Sequence, residues 1–165
     1  MEENIKQTCL HGRHTALGAL MSPFGGFDMP IQYAGIEEEH RAVRERCGVF
    51  DVSHMGEILV TGEDATAFVN YIFTNDVAPA ANGQCLYGMM LNGNGGVVDD
   101  LLVYKFNPER YLLVVNASNI DKDEAWVEDR MMDLHGEAGL PYRVDLELVS
   151  EVVSELAIQG PDAER

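Results

Sequence analysis

The chain has 165 residues, 46% of them hydrophobic, and 28 acidic residues against 11 basic ones give a formal charge of −17. That apolar content argues against disorder, and a field of that sign repels nucleic acid and anionic membrane surfaces. Cys9, Cys47 and Cys85 are widely separated, odd in number and without a C-x-x-C pair, which argues against a disulfide framework or a zinc knuckle and fits a reducing compartment.

The amino-terminal MEENIKQ is acidic and polar, unlike a secretory leader, and no apolar run approaches the ~20 residues needed to cross a bilayer. A cytoplasmic protein is expected. Glu37 to Cys47 carries helix formers throughout, acids in its first turn and bases near its end, so it predicts a helix that complements its own dipole and stops at Gly48. Glu57 to Thr61 reads as a short strand. After Gly62, the apolar positions Ala65, Phe68, Val69 and Ile72 recur at helical spacing and predict a helix with one face fit to pack on a sheet. Gln84 to Leu91 and Val97 to Phe106, joined by Asn92-Gly93-Asn94-Gly95-Gly96, read as a hairpin with a long glycine-rich connection. Asn107-Pro108-Glu109 turns the chain into a third strand, Arg110 to Ala117, which completes an antiparallel meander. Ser118 or Asn119 is a candidate N-cap for a helix through DKDEAWVEDRMMDLHG. Beyond a break at Pro141, Arg143 to Val149 and Ser154 to Gln159 are further strand candidates. Gly160-Pro161 with an acidic turn after it has the form of a helix start, which predicts a longer parent protein. The fold class expected is α+β, with mostly antiparallel sheets and packed helices.

Within the second hairpin strand, GGVVDDLLVY places two adjacent carboxylates in an otherwise apolar run. Burying an ionised carboxylate costs several kcal/mol unless it is paired or hydrogen-bonded. Side chains alternate between faces, so Val98, Asp100, Leu102 and Tyr104 share one face and Val97, Asp99, Leu101 and Val103 the other. One carboxylate can then be solvated near the glycine turn while its neighbour points inward. Either is a candidate acid, base or cation anchor; alternatively both simply cap backbone amides at the hairpin end. Asp51-Val52-Ser53-His54 invites a hydrolase reading, but triad members meet through the fold, and a turn leading into the next strand accounts for the cluster more simply. His11, His14, His40, His54 and His135 show no metal-ligand spacing with acids or cysteines, so no metal site is expected. Gly93-x-Gly95-Gly96 precedes a strand where a phosphate loop needs a helix, so a dinucleotide site is rejected.

In order and spacing, HTALGALMSPFGGFDMPIQY, GIEEEHRAVRERCGVFDVSHMGE, FTNDV, YGMMLNGNGGVVDDLLVY, YLLVVNASNIDKD and LAIQGPDA resemble the glycine cleavage system T-proteins, tetrahydrofolate-dependent aminomethyltransferases of glycine catabolism and one-carbon metabolism. FDVSHMGE and GGVVDDLLVY together are highly specific. Mild departures are Phe27 in FGGF, where the family usually has tryptophan, and Thr8-Cys9-Leu10 in place of T-P-L. The resemblance implies that residues 1–165 form the N-terminal folate-binding region of an enzyme about twice as long, its C-terminal half absent. It further implies transfer of the one-carbon unit from the aminomethyl-lipoyl arm of H-protein to tetrahydrofolate, with release of ammonia. Asp100 then maps onto the family's key acid, in an apolar folate-lined pocket. Met55, Tyr87, Leu102 and Asn116 map onto folate-lining positions, and Asp99 onto a structural neighbour. Two other activities of the scaffold stand as alternatives: a folate-dependent demethylase, and a non-catalytic folate-binding factor of iron–sulfur assembly, whose K-G-C-Y type of motif does not occur here.

Overall fold

The structure, a computed structural model, describes residues 5–137 and 143–164. It is α+β, and every pairing between its named strands is antiparallel. The chain divides into two compact units, one made of the segments up to His54 and from Val153 onward, the other running from Met55 to Val152. No helix among the described residues is long and apolar enough to cross a membrane.

In the first unit, α1 (His11–Ala16) precedes a hairpin of β1 (Leu20–Phe24) and β2 (Phe27–Gln32). Its two-residue turn has Gly25 and Gly26 at φ +57° and +84°, a conformation that a Cβ penalises at both positions. Helix α2 (Ile36–Glu45) follows the predicted one closely. Its entry is closed by Glu39, whose Oε1 accepts the backbone N–H groups of Tyr33, Ala34 and Gly35 at 2.6, 2.8 and 3.0 Å. The predicted stop at Gly48 has a different cause. The helix has already ended at Glu45, and Gly48 opens strand β3 (Gly48–Asp51), where a Cβ would lie 2.5 Å from a Val43 methyl. Strand β3 pairs with β9 (Leu156–Gln159), Val49 lying opposite Ile158.

The second unit holds a five-stranded sheet ordered β5-β6-β7-β4-β8. Strand β4 (Gly56–Thr61) leads into helix α3 (Ala65–Ile72), whose Ala65, Phe68, Val69 and Ile72 are all buried, as their spacing predicts. The expected meander follows in β5 (Cys85–Leu91), β6 (Val97–Asn107) and β7 (Arg110–Val115). At the hairpin between β5 and β6, the Asn92 side-chain oxygen accepts the N–H groups of Asn94 and Gly96 at 3.0 and 2.9 Å. Helix α4 (Ile120–Glu137) is entered through a 3₁₀ turn, Ala117–Asn119, and β8 (Asp145–Leu148) closes the sheet beside β4. The break at Pro141 and the side chain of His135 lie outside the described residues. One face of the sheet, with Ile58, Val60, Leu101, Val103, Tyr111, Leu113 and Val115, packs with Phe68, Val69 and Ile72 of α3 and Val127 of α4 into one apolar core. Each such side chain contributes roughly 1.5–3 kcal/mol through burial. Lys105 shares this face, and its Nζ donates to the carbonyls of Val77 and Ala78, both at 2.9 Å, which offsets the burial of its charge.

Candidate functional site

Alternation along β6 separates the two aspartates. Asp99 turns to the helix-covered side and is only 5% exposed, while Asp100 turns to the opposite, open face and is exposed. Register then assembles the rest. Tyr87 lies directly opposite Leu102, and Leu102 opposite Val114, so the phenol, the leucine and the Asp100 carboxylate occupy one face of adjacent strands. Tyr87 Oη donates to Asp100 Oδ2 at 2.9 Å. That hydrogen bond, with the charge behind it, raises the phenol above its ordinary pKa.

Asn116 follows β7 and ties both aspartates together. Its Nδ2 lies 3.0 Å from Asp99 Oδ1, 3.0 Å from the Asp100 carbonyl and 3.3 Å from Asp100 Oδ1, so two N–H bonds serve three oxygens. Its backbone N–H donates to Asp99 Oδ2 at 3.1 Å. Met55 stands one residue before Gly56, which pairs with Val115, and is half-buried at the same end of the sheet. Met55, Tyr87, Asp100, Leu102 and Asn116 thus fall on neighbouring positions of one unit. The apolar enclosure expected around Asp100 is not formed by these residues: Tyr87 is 61% exposed and the carboxylate faces outward.

Several participants were not predicted as site residues. Asn119, expected as a helix cap, donates through Nδ2 to Asp99 Oδ1 at 2.9 Å instead. Asp123, in the first turn of α4, is fully buried, and its carboxyl and that of Asp99 act on one another. Burial pushes Asp99 up, but its hydrogen bonds with Asp123, Asn116 and Asn119 outweigh this and hold it below the ordinary carboxylate range. Asp123 is pushed up to about 7, by burial first and by Asp99 second. The only sign of Asp123 in the sequence is an acid in a first helical turn, where acids are ordinary.

The Asp51-Val52-Ser53-His54 segment is a turn rather than a triad. Ser53 N–H donates to Asp51 Oδ1 at 3.0 Å, and the Ser53 hydroxyl donates to the Glu155 carbonyl at 3.2 Å. Asp51 Oδ2 also accepts Thr8 Oγ1 at 2.6 Å and lies 2.9 Å from His14 Nε2. His54 is buried, with edge-on contacts to the rings of Phe24 and Phe27 at 5.4 and 6.3 Å between centroids, and burial lowers its pKa. A cavity of about 330 Å³ in the first unit, lined by Ile31, Tyr33, Val43, Val49, Phe50 and Asp51 among others, holds none of the five residues above.

Residues 10–165 match the family described as the GCVT N-terminal domain. The aminomethyltransferase of Desulfitobacterium hafniense (strain DSM 10664 / DCB-2) is 48% identical over 161 residues, which are 98% of this chain and 42% of that protein. The aminomethyltransferase of Chloroherpeton thalassium is 50% identical over 160 residues, 97% of this chain and 42% of that protein. Among solved structures, the glycine cleavage system aminomethyltransferase T from Bartonella henselae aligns with a TM-score of 0.81 and 32% identity, over 97% of this chain and 42% of that one. The chain therefore spans well under half the length of the relatives it matches.

Proposed function

Because this chain belongs to the GCVT N-terminal domain family, we propose that it is the amino-terminal, folate-binding region of an aminomethyltransferase. Residues 1–165 would serve a protein that takes the aminomethyl group from the lipoyl arm of H-protein, releases ammonia and passes the one-carbon unit to tetrahydrofolate. The observation that carries this reading is the pairing of Asp100 with Tyr87 and Asn116 on the open face of the sheet. A carboxylate restrained from two sides and left facing outward is presented to a ligand rather than spent on the fold.

On this reading Asp100 meets the reacting nitrogens of the folate, orients them and stabilises cationic character at the one-carbon unit in transit. The Tyr87 ring supplies a packing surface beside it, Leu102 and Met55 supply apolar contact, and Asn116 offers its side-chain carbonyl to a pterin edge. Tetrahydrofolate is a co-substrate here, and lipoylated H-protein the donor partner.

Calorimetry with tetrahydrofolate, together with an assay using aminomethylated H-protein, tests the proposal on the intact protein and on Asp100→Asn. Loss of Asp100 is expected to lower transfer roughly 10²–10⁴-fold. Because the side chain is exposed, stability should change by no more than about 0.5 kcal/mol. Full activity in Asp100→Asn removes the carboxylate from the chemistry. Turnover of small N-methyl or S-methyl substrates in place of the lipoyl-bound group would instead make the protein a demethylase. Folate binding without either activity would point to the non-catalytic role.

A further inference from the structure

Behind Asp100 lies a pair of carboxyl groups to which the proposed chemistry gives no direct part. Asp99 receives three N–H groups, from the Asn116 backbone, the Asn116 amide and the Asn119 amide, at 3.1, 3.0 and 2.9 Å. Asp123 is 0% exposed, and among the described residues no donor meets either of its oxygens in full hydrogen-bond geometry. Lys122 Nζ forms a long ion pair with Asp123 Oδ1 at 3.4 Å while donating to the Val98 carbonyl. Two ionised carboxylates side by side, one of them with a single long ion pair for partner, are untenable in a buried site. A single proton between them resolves the conflict, and the donor count says where it sits. Asp99, with three close N–H partners, keeps the charge; Asp123, with only the long ion pair to Lys122, carries the proton and directs its O–H at Asp99.

We propose that Asp123, as a protonated acid, is a positioning residue for Asp100: its O–H holds Asp99, Asp99 holds the Asn116 amide, and that amide holds the backbone and side chain of Asp100. The inference rests on the reading of Asp100 as the reacting carboxylate. It follows from the geometry that Asn116 alone cannot fix itself. Asp99 accepts both its backbone and its side-chain N–H, and in that arrangement the amide also reaches Asp100. An ionised Asp123 would repel Asp99 and add a second negative charge behind the site.

Two substitutions separate the roles. Asp123→Asn keeps shape and an N–H donor without charge, and Asp123→Leu removes the donor at similar shape. Three readouts are taken on the intact protein: the infrared carbonyl stretch of a buried carboxylic acid, the Tyr87 phenol titration by carbon-13 NMR of labelled tyrosine, assigned with Tyr87→Phe, and transfer to tetrahydrofolate. An acid band is expected in the wild type, and the wild-type minus Asp123→Asn difference spectrum should hold one acid component, any Glu155 contribution being common to both. The raised Tyr87 titration should survive in Asp123→Asn, because Asp100 stays in place, and fall toward the ordinary tyrosine value in Asp123→Leu. Turnover should remain within about threefold of wild type in the asparagine variant and drop roughly 10–100-fold in the leucine variant, in kcat rather than in KM for H-protein.

An acid band undiminished in Asp123→Asn, or Asn and Leu variants that behave alike in the Tyr87 titration, overturns the proposal. Should the leucine variant fail to fold, the asparagine variant decides: it must lose the difference component while keeping the Tyr87 titration. A wild-type protein inactive in transfer sinks the reading of Asp100 instead, and the infrared and phenol readouts still settle whether Asp123 holds that carboxylate in place.

Discussion

Asp51 and Asp123 show how one side-chain type acquires opposite pH behaviour from its partners. At Asp51, burial acts to raise the pKa, but hydrogen bonds from His14, Thr8 and Ser53 outweigh it and hold the group down at about 2. Its contribution to stability is present above the ordinary carboxylate pKa near ~4 and is lost as pH falls toward 2. At Asp123, burial and then Asp99 raise the pKa to about 7, with Lys122 opposing. Between about pH 4 and about pH 7 the folded state therefore holds a proton that the unfolded chain has released, so stability falls as pH rises through that window. Calorimetric melting at intervals from about pH 5 to about pH 8 should record a decline on the order of 1–3 kcal/mol, and Asp123→Asn should flatten it. A wild-type profile that is level or rising over that range would contradict the protonated Asp123. The acid limb below about pH 4, set by Asp51, should persist in the variant.

Strand β5 illustrates the constraint at the level of an element. Its outward positions carry Tyr87 and Met89, while inward-facing Gly88 lies against the Phe73 ring, where a Cβ would stand 2.6 Å from two ring carbons and 3.0 Å from Thr74 Oγ1. Phe73 is itself buried in the core, so the ring has little freedom to retreat. Gly88→Ala should cost about 1–3 kcal/mol in urea denaturation and, by lifting β5, loosen the Tyr87 bond to Asp100. Gly93→Ala, at a position where a Cβ meets nothing within 4 Å, should change stability by no more than about 0.5 kcal/mol. Equal effects at the two glycines would refute this packing account. The same element shows what the sequence discloses: β5, β6 and β7 are consecutive, separated by Asn-Gly and Asn-Pro turns, and alternate cleanly, so both the meander and the opposite facing of Asp99 and Asp100 were legible. Strand β3 was not, because its partner β9 lies more than a hundred residues away and no local pattern marks the pairing. The β1–β2 hairpin was hidden by prolines at 23 and 30 and by strands only partly buried on either face. Asn116 and Asp123 could not be linked to Asp99 from spacing, since that contact depends on where a strand end and a helix start arrive in space.

Across the whole molecule, burial is unevenly distributed. Every residue of the apolar core cluster belongs to the unit from Met55 to Val152, which also carries the five candidate site residues and the Asp99–Asp123 pair. A carboxylate meant to meet a ligand in one geometry gains from standing on the element with most packing beneath it. In the other unit the buried side chains are chiefly polar, Thr8, His14, Ser53 and His54 beside Met29, and its β3–β9 pair leaves Val49 64%, Ile158 53%, Leu156 51% and Phe50 44% exposed. Two-stranded pairs with little apolar cover are marginal, and hydrogen bonds of the His14–Asp51 kind contribute only about 1–3 kcal/mol each. Amide hydrogens of β3 and β9 should therefore exchange through openings that leave the large sheet intact. Hydrogen exchange followed by mass spectrometry should find them roughly 100-fold or more less protected than those of β6 and β7. The gap should widen below about pH 4, where opening lets Asp51 take up a proton that its bonds with His14, Thr8 and Ser53 exclude from the closed pair down to about 2. Uniform protection across both units would mean that they open in one cooperative step.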